Sequence, residues 1–100
     1  MPDPTIYPVN NVNDGSVTVG VASTLVLAAN PKRVTLELVN DSDTAIYLAL
    51  ENAAVMNKGI PLTAKGSSYG MNSLNLFLGA IYAIGAGQQN LCYSEGERTN

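Results

Sequence analysis

Asn40-Asp41-Ser42-Asp43-Thr44 places two aspartates and an asparagine in one short stretch, the oxygen-rich composition with which a calcium loop begins. A loop of that type counted from Asp41 needs Asp or Asn where Ala45 stands, Gly where Ile46 stands and a bidentate Glu where Asn52 stands. The spacing therefore excludes it, and the Asn and Asp residues read as turn formers that bond their own backbone. Asn40-Asp41-Ser42 also matches a glycosylation acceptor, but "MPDPTIYPVN" carries neither a basic nor an apolar leader segment, so the match is expected to be accidental.

Other residues that could do chemistry are equally sparse. The chain has no histidine, which removes the usual general base and the commonest metal ligand. Its single cysteine, Cys92, cannot form an internal disulfide or an ordinary zinc site, and without an imidazole partner it reads as a small packed strand residue. Glu37, Asp41, Asp43, Glu51, Glu95 and Glu97 could formally supply a carboxylate pair, yet most fall in or beside turns or in the tail, where solvated acids keep ordinary acidity. Lys58-Gly59 and Lys65-Gly66 are not phosphate loops, since Gly follows Lys. Tyr47, Tyr82 and Tyr93 sit in strand-like runs and, with no Trp in the chain, make a poor sugar platform. The expectation is a protein that is not an enzyme and holds no cofactor and no metal.

Charge narrows the partners. Charged residues make up 13% of the chain, against roughly 25% in an ordinary soluble domain. Gly15 to Pro31 and Gly66 to Ser94 contain none at all, so much of the surface must be neutral, a sign that other chains cover part of it. A net charge of −3 with five scattered basic residues argues against nucleic acid and against an anionic membrane as partners. The most apolar run, Leu76 to Gly87, is too short for the roughly 20 residues that cross a bilayer as a helix.

These residues need elements to hold them, and the pattern is of period two. Val17, Val19 and Val21 alternate with small residues; Leu25 and Leu27 alternate with Thr24 and Val26; Val34, Leu36 and Leu38 alternate with Thr35, Glu37 and Val39. Ala45 to Leu50 is a further strand, and joined to Val34–Val39 through Asn40–Thr44 it predicts a hairpin with Ile46, Leu48 and Leu50 paired beside Val34, Leu36 and Leu38. Residues 51–59 predict a loop or a helical turn with Ala53 to Met56 tucked inward, and "GIPLTAKG" predicts an edge strand because Pro61 lacks an N–H. The run ending at Ile84, a turn at "GAGQQN" and a return through Leu91 and Tyr93 complete the set.

Seven to eight short strands with frequent turn signals predict an all-β protein, a small antiparallel β-sandwich or barrel. The expected core is Val19, Leu25, Leu27, Val34, Leu36, Leu38, Ile46, Leu48, Leu50, Leu78, Ile81, Ile84 and Leu91. The expected organisation is an extended N-terminal arm over residues 1–14, ending in a turn at Asn13-Asp14-Gly15; a sandwich domain over 15–96; and a frayed tail over 97–100. Pro2, Pro4 and Pro8 pre-extend the arm, where Ile6, Tyr7 and Val9 are candidate anchors to a partner. On the hairpin, the face away from the core shows Val39, Ala45, Tyr47 and Ala49, apolar enough to predict contact with another chain in a homo-oligomer, a trimer.

"VTVGVASTLVLAANPKRVTLELVNDSDTAIYLAL", with "GIPLTAKGSSYGM", "GAIYAI" and "CYSEGE" after it, resembles small structural proteins encoded by tailed bacteriophages over residues 17–96. The resemblance implies a virion component made in the host bacterial cytoplasm, above all a capsid decoration or cement protein. Its partner would then be the major capsid protein or another virion protein. A host-receptor or carbohydrate-binding accessory module of the head or tail is the other role it admits. No functional residue transfers, because the matching positions are core and turn positions, and the proline-rich first 14 residues lie outside the likeness.

Overall fold

The computed structural model describes residues 9, 11–72 and 74–98. Eight strands follow one another: β1 (Asn11–Val19), β2 (Thr24–Leu27), β3 (Arg33–Asn40), β4 (Ile46–Leu50), β5 (Ile60–Leu62), β6 (Ser68–Met71), β7 (Ile81–Gly85) and β8 (Gln89–Glu97). They form two four-stranded sheets, ordered β1-β8-β3-β6 and β2-β7-β4-β5. All neighbours are antiparallel. The protein is an all-β sandwich, and its strand order, in which every link except β4–β5 crosses from one sheet to the other, is that of an eight-stranded jelly roll.

Alternation in the chain builds the core between the sheets. On β3, Leu36 and Leu38 point inward and Thr35, Glu37 and Val39 outward; on β4, Ile46 and Leu48 point inward and Tyr47 and Ala49 outward. Val19, Leu27, Ile81, Ala83 and Leu91 join them in one buried cluster with Val26, Leu62 and Met71. Burying such a side chain stabilises the fold by about 1.5–3 kcal/mol before entropy is counted.

The hairpin expected from Val34 to Leu50 does not form. β3 and β4 lie in different sheets, so Leu36 and Leu38 meet Ile46 and Leu48 across the sandwich, not alongside them. The same apolar pattern serves both arrangements. What decides is the link: Asn40 is fully buried, and its Nδ2 donates to the carbonyls of Thr44 (2.9 Å), Leu62 (2.9 Å) and Thr63 (3.0 Å). Ser42 Oγ donates to Asn40 Oδ1 at 2.6 Å. Gln89, also buried, donates from Nε2 to the Thr44 and Ala45 carbonyls, both at 2.9 Å. The turn-forming residues thus carry the chain over the end of the sandwich, and the segment "GAGQQN" likewise links β7 to β8 across the sheets.

Other boundaries also move. Asn13-Asp14-Gly15, expected as a turn, lies inside β1, which runs in unbroken register from Asn11↔Glu97 to Val19↔Gln89; residues 11–14 and Glu97 therefore belong to the sheet. Positive-φ tolerance is not used at Gly15. Its lack of a side chain is, because the Tyr93 ring occupies the place where a Cβ would project. Leu25 is exposed because the register shifts between Leu25 and Leu27, turning Val26 and Leu27 inward together. Leu78 is exposed in the link before β7, and Leu50 is half-buried. In the β4–β5 loop Ala54 alone is buried, while Val55 and Met56 are exposed. Pro61 sits on an edge strand, as its missing N–H requires.

Candidate interaction face

Strand registry assembles a surface that no single segment contains. On the outer side of the β2-β7-β4-β5 sheet, Leu25, Tyr82 and Ala49 are direct cross-strand neighbours, and so are Ile84, Tyr47 and Pro61. Opposed residues of antiparallel strands project to the same face, so six uncharged residues, two of them tyrosines, form two rows across four strands. Leu25 is half exposed, at 50%, whereas Ile84 is buried yet lies outside the core cluster. Tyr47 and Tyr82 are half-buried there, and tyrosines on an outer sheet face offer large rigid area with a polar tip, the composition favoured where proteins meet.

At one end of this face Tyr47 and Pro61 join Asn57, Lys58 and Gly59 around a pocket of about 200 Å³. The loop that walls it is fixed by its backbone. Ala54 N donates to Ser23 Oγ at 2.8 Å and Lys58 N to the Val55 carbonyl at 3.2 Å. Gly59 stands at φ 86° over the Leu48 carbonyl, a place and a conformation that suit only glycine. Lys58 is the one charged lining residue.

The opposite outer face is built from small and polar residues. Val39 lies between Cys92 and Ser68, and Glu37 between Ser94 and Gly70. Hence Val39 and the group Ala45, Tyr47 and Ala49, expected to share one face, are separated onto different sheets; only the β4 members Tyr47 and Ala49 share the apolar face, and Ala45 stands in the β3–β4 link just before it. Of the expected arm anchors, Ile6 and Tyr7 lie outside the described residues. Val9 is exposed, and its methyls lie 3.0 and 3.1 Å from where a Cβ of Gly96 would project, on the outer side of β8.

Two polar sites were not legible from motifs. Arg33, the first residue of β3, is buried: Nε donates to Glu95 Oε2 at 2.7 Å, Nη1 to the Phe77 (2.7 Å) and Gly79 (3.1 Å) carbonyls, and Nη2 to the Ala28 carbonyl (3.0 Å). Glu97 accepts from the side-chain amides of Asn30, Asn11 (3.0 Å) and Asn13 (3.2 Å). Asn30 above all, then Asn11, with Asn13 and the Lys32 charge adding to them, hold its carboxyl below the usual carboxylate range against a smaller opposing effect of desolvation. Both sites tie chain ends and links to β8. Among the described residues, no group of three or more His, Cys, Asp or Glu side chains is placed to hold a metal ion. Comparison with protein-family models, with curated proteins and with solved structures gives no match.

Proposed function

We propose that this chain is a non-enzymatic structural protein of a tailed-phage virion that binds the capsid surface and stabilises the particle, as a decoration or cement protein. The observation that supports it is the uncharged outer face Leu25-Tyr82-Ala49 and Ile84-Tyr47-Pro61. An outer sheet face without charge is what a partner of matching shape covers. The jelly roll agrees with the reading but does not select it, since virion proteins, lectins and enzymes share that architecture. The partner is the major capsid protein or another virion protein.

Cryo-electron microscopy of purified particles of the encoding phage tests the proposal. The expected result is density for this sandwich on the capsid surface with the β2-β7-β4-β5 sheet turned toward the shell. Particles without it would overturn the decoration role. A folded Tyr82→Arg variant is expected to be lost from the particles.

One observation favours a second reading, a carbohydrate-binding accessory module: the pocket whose lining includes Tyr47, Asn57 and Lys58, an aromatic residue beside two polar ones. Binding of the soluble protein on a glycan array, abolished by Tyr47→Ala and unaffected by Leu25→Arg at the far side of the face, is the result this reading requires. A silent array removes it.

A further inference from the structure

Each sheet of the sandwich ends in two edge strands, and an edge exposes a row of N–H and C=O groups ready to pair with another strand. Three of the four edges are blunted. β5 is three residues long with Pro61 at its centre. β2 has four residues and a register shift. β6 has four residues, and Asn75 Nδ2 donates to the Gly70 carbonyl at 2.9 Å while Asn75 Oδ1 accepts from Asn72 N at 2.8 Å. β1 has none of these devices. It is nine residues long, contains no proline, lysine or arginine, carries one charge, Asp14, and keeps its register with β8 from end to end. Among the described residues no strand lies on its other side. Val9 stands over the outer side of Gly96 and not along that edge.

We infer that β1 pairs with β1 of a second copy of this chain, antiparallel about a twofold axis at Gly15, so that two four-stranded sheets become one continuous sheet. The inference stands apart from the virion role and needs no particle. Antiparallel self-pairing places residues whose numbers share one sum opposite each other, and only the axis at Gly15 engages all nine residues of both strands. Val12 then faces Thr18 and Asp14 faces Ser16 of the second copy, each pair on one side of the sheet. Moving the axis by one residue to Asp14 would oppose that carboxylate to its own copy, which is unfavourable. The complete register therefore keeps the strand's single charge opposite an uncharged residue, and it forms the most hydrogen bonds. A foreign strand could use the same edge, but nothing in β1 asks for a partner chemistry other than its own.

Sedimentation equilibrium of the full chain, from micromolar to millimolar concentration, reads the association directly, and hydrogen exchange reads its place. A dimer is expected, with amides of residues 11–19 gaining protection as concentration rises. Ser16→Asp sets two acids opposite each other twice per dimer and is expected to raise the dissociation constant on the order of tenfold. Ser16→Lys sets Lys opposite Asp14 and lowers it at low salt, the gain fading as salt is added. Ser16 is exposed, and circular dichroism establishes that each variant is folded. A monomer across the whole range overturns the inference. So does a dimer that is indifferent to both substitutions and leaves residues 11–19 unprotected, because its interface would lie elsewhere.

Discussion

Arg33 Nε and Glu95 Oε2 meet at 2.7 Å with side-chain exposures of 0% and 8%, and three of the four remaining guanidinium N–H groups are directed at backbone carbonyls. An ion pair so enclosed is weak evidence for added stability, but breaking it leaves one charge buried without its partner. Those carbonyls belong to the β2–β3 and β6–β7 links, so Arg33 fastens one end of the sandwich much as Asn40 fastens the other.

Removing both partners should therefore cost less than the two single losses added together. Arg33→Met or Glu95→Gln alone is expected to destabilise the fold by about 3–5 kcal/mol in urea titrations, Arg33→Met toward the upper end because three carbonyls lose their donor as well. Arg33→Met combined with Glu95→Leu is expected to cost clearly less than the sum. Additive losses would show that the pair is not coupled.

Asn40 makes a sharper test, because its amide points at three carbonyl oxygens. Asn40→Asp keeps the shape and replaces the donor by an acceptor. It should cost more than Asn40→Ala, which itself leaves buried carbonyls unpaired at about 1–3 kcal/mol for each such group. Equal losses in the two variants would mean that water satisfies the carbonyls.

Acid stability should depend on Glu97. Its carboxyl is held below the usual value near 4.5 by Asn30, Asn11 and Asn13, so the folded state binds protons less readily than the unfolded one. The resulting stabilisation is fully present above that ordinary value and is lost as pH falls through the lowered folded value. Stability measured by denaturant titration between neutral pH and pH 3 is expected to fall less steeply for Glu97→Gln than for the parent. Parallel profiles would dissociate Glu97 from the acid response.

The fold class, the strand count and most of the core follow from period-two alternation, which reports which side of a strand is buried. Alternation does not report which strand lies beside which. Leu36 and Leu38 have the same pattern whether Ile46 and Leu48 pair alongside or face them across the core, and the choice rests on Asn40 and Gln89, whose amides bond to carbonyls distant in the chain. For the same reason Tyr47, Tyr82 and Leu25 could each be placed on a strand, but their meeting on one face depends on the order β2-β7-β4. Arg33 offered only a faint signal, a cation directly before an apolar strand in a chain with few charges.

Leu25 and Leu27 give the most local test of where alternation fails. In a regular strand both would face the core together and Val26 would face out, yet the register shift leaves Leu25 at 50% exposure with Val26 at 7% and Leu27 at 9%. Leu25→Lys is therefore expected to change stability by no more than about 0.5 kcal/mol, as surface substitutions usually do. Leu27→Ala should cost about 2–5 kcal/mol through lost burial and the cavity left behind, and Val26→Ala should also be clearly destabilising. A regular strand would reverse the first and last of these results, so thermal and urea unfolding of the three variants distinguishes the two geometries. Because Leu25 lies beside Tyr82 on the outer face, Leu25→Lys also separates stability from docking: the variant should fold as the parent does and yet, under the proposed decoration role, be lost from the particles.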